Sequence, residues 1–112
     1  MKLDAYTVVF LWRPADAPNL PEAELDRLQT EHVANNARLR MEGHALITGP
    51  LSGQPDQSLR GINVFRTSVE ETRKLMESDA SVRAGRLRFE VFTWYMPEGT
   101  LGDRPADQID VG

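Results

Sequence analysis

The stretch Ala5-Tyr6-Thr7-Val8-Val9-Phe10-Leu11-Trp12-Arg13 decides the fold. Its β-branched and aromatic content predicts a strand. Alternation sends Tyr6, Val8, Phe10 and Trp12 to one side and Val9 and Leu11 to the other. Both sides are apolar at the centre, so this strand needs cover on both faces, unlike a strand of a one-sided sheet. The last periodic stretch, Arg86 to Met96, repeats the pattern. Leu87, Phe89, Val91 and Tyr95 share one face, while on the other Arg86, Arg88 and Glu90 give way to Phe92, Trp94 and Met96.

Working outward, Pro14 to Leu20 reads as a loop and leads into a helix. Asn19 is placed to cap that helix, with Glu22 three residues on as in a capping box and Pro21 in the first turn. Leu25, Leu28, His32, Asn36 and Leu39 step by three or four and share one helical face. Gly43 is the expected stop. Ala45 to Leu51 predicts a second strand, Ser52 to Ser58 a turn-rich connection, and Arg60 to Thr67 a third strand. In that strand Ile62 and Val64 oppose Phe65. Ser68-Val69-Glu70-Glu71 is a second capping box, opening a helix to about Ser78 with Val69, Thr72 and Met76 inward and Leu75 beside them. Asp79 to Gly85 is a short connecting turn. The order is β-α-β-β-α-β, the ferredoxin-like α+β pattern, which places both helices on one face of an antiparallel sheet. The other face is then bare and carries Phe, Trp and Val side chains. Such a patch is unusual on a soluble monomer, so two sheets are expected to pack face to face in a homodimer.

Composition sets the outer bounds. At 112 residues the chain is one domain, and the periodic elements end at Met96. Residues 1–96 are therefore read as the folded domain and residues 97–112 as an acidic, Gly- and Pro-containing tail, flexible or docking. That tail holds Glu98, Asp103, Asp107 and Asp110 against Arg104, so it carries three of the four net negative charges. A mildly acidic chain is poorly suited to nucleic acid or an anionic membrane. The longest apolar run, Val8 to Trp12, is far short of the roughly 18 residues of a spanning helix. Met1-Lys2-Leu3-Asp4 has no long apolar core and does not read as a secretory signal, so a cytoplasmic location is expected. There is no cysteine, which excludes disulfides, thiolate catalysis and zinc–cysteine sites.

His32 sits mid-stripe, between Leu28 and Asn36, and so faces inward. Two polar groups in the centre of an apolar stripe must find partners or water, or cost roughly 1–3 kcal/mol apiece. A wet cleft beneath the helix satisfies them more simply than a dry core. Asp79 precedes a short turn and reads either as a cap for it or as a partner for His32. In the second role its carboxylate would fix the imidazole tautomer and raise its basicity for proton transfer. No metal site is expected. His44 lies beyond the helix stop, and Glu31 and His32 point about 100° apart on the helix. No phosphate-cradling glycine motif and no G-x-S-x-G is present. Arg83, Arg86 and Arg88 form a small basic cluster after the Asp79 turn.

Three spaced elements resemble a known family. They are His32 eleven residues before Gly43, Gly49-Pro50-Leu51 closing the second strand, and Ser68-Val69-Glu70-Glu71 leading to Asp79, Val82, Ala84 and Gly85. Over residues 5–96 the chain is similar to the YciI-like (YCII-related) proteins, small dimeric α+β barrel domains. It departs from them in having Ala80 after Asp79, Ser81 in place of a Tyr, a longer loop at Pro14 to Leu20, and the acidic tail. The resemblance implies a cofactor-free His–Asp pair in a cleft, placed on His32 and Asp79. It also implies lyase- or isomerase-like proton transfer on a small acidic or lactone-type molecule. On this reading Asn36 and Ser81 contact substrate, and Tyr6 or Trp94 forms a wall. The alternative is a non-catalytic ligand-binding or regulatory dimer in which His32 and Asp79 are a structural pair.

Overall fold

The computed structural model describes residues 1–102 and 104–112. Its elements are β1 (Lys2–Trp12), α1 (Glu22–Met41), β2 (Ala45–Pro50), β3 (Leu59–Phe65), α2 (Val69–Glu77), α3 (Ala80–Arg83), β4 (Arg88–Pro97) and β5 (Asp107–Asp110). The sheet runs β2-β3-β1-β4 with antiparallel pairing, and β5 adds to β1. This is the expected ferredoxin-like α+β arrangement.

The register divides the side chains as the alternation predicts. Tyr6 faces Trp94, Val8 faces Phe92 and Phe10 faces Glu90 on one side, while Val9 and Val91 pair on the other. The second side holds the helices. Val9, Leu11, Leu39, Ala45, Phe65, Met76, Leu87 and Val91 form one buried cluster there. Each of the Val, Leu, Phe and Met side chains among them contributes about 1.5–3 kcal/mol by leaving water. The opposite face carries no helix. Phe92 and Trp94 are each 49 % exposed on it and Ile47 is 53 % exposed, so a broad apolar surface is left open. Phe10 and Phe92 meet edge to face across it at 5.9 Å, and the Arg88 guanidinium lies 5.4 Å from the Trp12 ring.

The entry to α1 differs from the sequence expectation. Pro21, not Asn19, occupies the N-cap, with φ −55° and ψ 149° and no side-chain cap bond. A residue before proline is held out of the helical region, so Leu20 cannot begin the helix and Asn19 lies too far upstream to cap it. Glu22 and Glu24 in the first turn favour the helix end instead. The other end follows the prediction: Gly43 takes φ +83°, and the His44 N–H reaches back to the Leu39 carbonyl at 2.9 Å. At α2 the Ser68 hydroxyl accepts the Glu71 N–H at 3.1 Å, as the capping box requires.

The acidic segment after Pro97 docks onto the sheet. It leaves β4 on one edge of β1 and returns as β5 on the other, pairing Asp107–Asp110 with Lys2–Ala5. The buried Asp4 carboxylate holds this crossing. One of its oxygens accepts the Gly99 N–H at 2.8 Å and the other accepts Gln108 Nε2 at 2.7 Å. No helix among the described residues is long and apolar enough to cross a membrane.

Candidate functional site

Asp79 lies between α2 and α3 in extended conformation, φ −65° and ψ 134°. That conformation ends α2 and turns the carboxylate back over the N-terminus of α3. One oxygen, Oδ2, accepts the backbone N–H of Ser81 at 3.0 Å and of Val82 at 3.2 Å. The other, Oδ1, accepts His32 Nδ1 at 2.8 Å and Asn35 Nδ2 at 3.4 Å. The cap and the histidine partner read from the sequence are thus both present, one on each oxygen.

The Asp79 side chain is fully buried and that of His32 is 13 % exposed. Burial works against a charged carboxylate. The His32 hydrogen bond, its charge, and the Val82 and Ser81 N–H groups outweigh it, and the Asp79 carboxyl titrates below the usual range. An ionised Asp79 can only accept, so His32 Nδ1 carries a proton. In the neutral ring Nε2 then keeps a lone pair. Asn36 Nδ2 approaches Nε2 at 3.4 Å from one turn along α1, which suits that tautomer. Asn36 Oδ1 is buried with no partner.

His32 and Asn36 line a cavity of about 240 Å³ beneath α1. Leu11 and Arg13 from β1 and its end, Gly61 and Asn63 from β3, and Gly49 and Pro50 from β2 supply the rest of its floor. Gly61 is required there, since a Cβ at that position would come 2.8 Å from the Gly49 carbonyl oxygen. The volume lies below the ~300–1,000 Å³ typical of drug-sized ligands and suits a small one. Arg13 and Arg60 give the cavity a positive rim. Burial, and then the neighbouring charges of Arg86 and Arg60, pull the Arg13 guanidinium below its ordinary pKa. Asn63 is 1 % exposed, and both polar atoms of its side chain lack a partner.

The structure brings His32, Asp79 and Asn36 together and leaves three expected contacts elsewhere. Tyr6 and Trp94 do not reach this cavity. They pair across β1 and β4 on the face without helices, where Tyr6 is fully buried with Val64 and Met96. Strand alternation separates them from Val9 and Leu11, which point toward α1. Ser81 is buried at the start of α3 and lines a separate small cavity that shares Arg13 and Gln29 with the first. Asn35, Arg13, Arg60 and Asn63 were not expected. Asn63 had a signal, being the polar residue on the face of β3 that it shares with Leu59, Gly61 and Phe65. Among the described residues no group of three or more His, Asp or Glu is placed to hold a metal ion.

A scan against models of known protein families finds no match, and a search of curated proteins finds none. Among solved structures the fold is similar to that of 5-chloro-2-hydroxyhydroquinone dehydrochlorinase (TftG) from Burkholderia phenoliruptrix AC1100, in complex with 2,5-dihydroxybenzoquinone. The TM-score is 0.56 at 17 % identity, over 80 % of this chain and 92 % of that one. At that identity the likeness establishes the shared ferredoxin-like fold.

Proposed function

We propose that this chain is a small cofactor-free enzyme of the YciI-like family that moves a proton on a small acidic or lactone-type substrate. Residues 1–96 are its catalytic unit, and residues 97–112 are an appended strap. The observation that carries the reading is the 2.8 Å bond from His32 Nδ1 to Asp79 Oδ1 beside the cavity that His32 lines. His32 Nε2 takes a proton from a carbon next to a carbonyl, and Asp79 stabilises the imidazolium that results. In an isomerase-type reaction His32 returns that proton to another carbon of the enolate. In a lyase-type reaction the electron pair of the broken C–H bond forms a double bond as a leaving group departs. The likeness in fold to a dehydrochlorinase supports the second form. Asn36 orients the ring of His32 and contacts substrate. Two copies associate through the open apolar face, where Trp94 belongs to the interface, while Tyr6, fully buried within one copy, belongs neither to it nor to the His32 cavity. The setting is cytoplasmic.

The test is a thermal-shift screen of small organic acids, lactones and 2,5-dihydroxybenzoquinone on the wild type and on His32→Ala. Any hit is then followed by NMR for turnover. Ligands that bind the native state raise its melting temperature. A compound turned over by the wild type and not by His32→Ala supports the reading, and full turnover by His32→Ala sinks it.

A second reading has one observation in its favour. Asp79 also satisfies two backbone N–H groups, which is structural work. A non-catalytic ligand-binding or regulatory dimer would show a large melting-temperature loss in His32→Ala and no turnover of any bound compound.

A further inference from the structure

Asn63 is an anomaly of the strand that carries it. A side chain 1 % exposed with an unpartnered donor and an unpartnered acceptor is rare in a folded protein. Val64 and Phe65 beside it are packed as apolar core. A leucine would fill the same volume without stranding an amide. Asn63 lines the His32 cavity, so a turn of its amide toward that cavity would bring it to the partners that a bound molecule supplies. Asn36 Oδ1 is a second stranded acceptor lining that cavity.

The charge around it has one sign. Arg13 and Arg60 line the cavity and no carboxylate side chain does. Arg13 is half-buried and gives its Nε–H to the Arg86 carbonyl at 2.7 Å. It keeps company with two further arginines, Arg60 and Arg86, whose charges disfavour its own. Like charges gathered at a partly buried site are relieved by an anion.

We propose that Asn63, with Arg13 and Arg60, forms the recognition end of the His32 cavity, and that the substrate is a small organic anion bearing a hydroxyl. The anionic oxygen faces the arginines and accepts from Asn63 Nδ2. The hydroxyl donates to Asn63 Oδ1 or Asn36 Oδ1. Asn63 is a specificity-determining contact and His32 the proton-transfer group of the same cavity. This deepens the function proposed above and rests on it for the word substrate, whereas the binding it describes stands independently. A carboxylate and an enolate share the chemistry that this end would read.

Calorimetric titration at neutral pH separates the possibilities with three probes. Salicylate carries a carboxylate and a hydroxyl, 2,5-dihydroxybenzoquinone is a ring enolate when ionised, and salicylamide is the neutral counterpart of the first. Wild type should bind at least one anion about tenfold more tightly than salicylamide, with the gap narrowing as salt rises. Asn63→Leu and Arg13→Gln should each weaken that anion about tenfold, and the more exposed Arg60→Gln about threefold. Asn63→Leu should melt no lower than wild type, because it removes a stranded amide. Should Asn63→Leu fail to fold, Asn63→Asp keeps the shape and should abolish anion binding while sparing salicylamide. His32→Ala should hold the anion within about threefold, since the arginines and not the imidazole carry the charge contact. Loss of turnover in that variant reports on the proton-transfer reading, separately from binding. Equal affinity for salicylamide overturns the proposal, as does the absence of binding by every probe. It is also overturned if Asn63→Leu loses stability while its affinity is unchanged, which would make Asn63 a structural residue.

Discussion

Asp4 and Asp79 are buried to almost the same depth, 2 % and 1 % exposed, and both use both oxygens. Their surroundings differ in where the hydrogen bonds lead. Asp4 receives the Gly99 N–H and the Gln108 amide, and Gln108 Nε2 goes on to Glu98. That chain ties β1 to the segment after β4, and the result is a strap across β1. Asp79 receives two backbone N–H groups on one side and His32 on the other. His32 has a second nitrogen, able to take a proton, and lines a cavity. The depth of a carboxylate does not separate a structural role from a chemical one. The next atom outward does.

The sharpest way to break this contrast is to remove the next atom. His32→Ala should reduce turnover of an identified substrate by about 10²–10⁴-fold, the usual worth of a positioned acid–base group. Steady-state kinetics check this, and undiminished turnover would place Asp79 in the same class as Asp4. Paired isosteric changes come next. Asp79→Asn and Asp4→Asn should each cost about 1.5–3 kcal/mol in chemical denaturation, the usual worth of hydrogen bonds to a charged group. Only Asp79→Asn should also lose turnover, and equal activity in the two variants would erase the distinction.

Acidity offers a subtler version. Burial opposes the ionised form of Asp79, but His32 and the two N–H groups outweigh it, so its folded pKa lies below its unfolded one. The stabilisation is therefore fully present above the unfolded carboxylate range, near pH 4–5, and is lost as pH falls through the depressed folded value. The melting-temperature difference between wild type and Asp79→Asn should shrink in strong acid, as pH falls through the depressed Asp79 value. A difference that persisted undiminished there would contradict the sign. The smallest effect is expected from Gln108→Ala, which strips one donor from Asp4. It should cost about 1 kcal/mol, with ligand binding at His32 unaffected.

The two aspartates also differ in how readable they were. Asp79 sits among local signals: a Ser68 capping box behind it, a short turn ahead, and a histidine at a helical spacing that faced it inward. Capping chemistry acts over three or four residues, so it is written in the neighbouring letters. Asp4 has its partners 95 and 104 residues away, in a segment with no periodicity, and nothing near Met1 points to them. Periodicity also gave the two faces of β1 and β4 correctly, since alternation is a property of the backbone. It could not say that Tyr6 and Trp94 stand across the sheet from His32, because the helix face had to be known first. Asn19 is not the cap of α1 for a local reason, the constraint of Pro21 on Leu20. Asn63 and Arg13 enter the site only through the packing of α1 over β3 and the end of β1, which no spacing along the chain encodes.

The central place of β1 has a kinetic consequence. Each of its partners comes much later in the chain: Phe65 opposite Thr7, Trp94 opposite Tyr6, Gln108 opposite Asp4. No hairpin can nucleate on this strand, so every ladder it joins begins with closure of a long loop, at an entropic cost that rises with loop length. Chains dominated by such distant pairings cross their folding barrier slowly. Until that crossing, Val8 to Trp12 is a β-prone apolar segment with both edges unpaired, the kind of segment that recruits other chains. Refolding yield should therefore fall steeply with protein concentration.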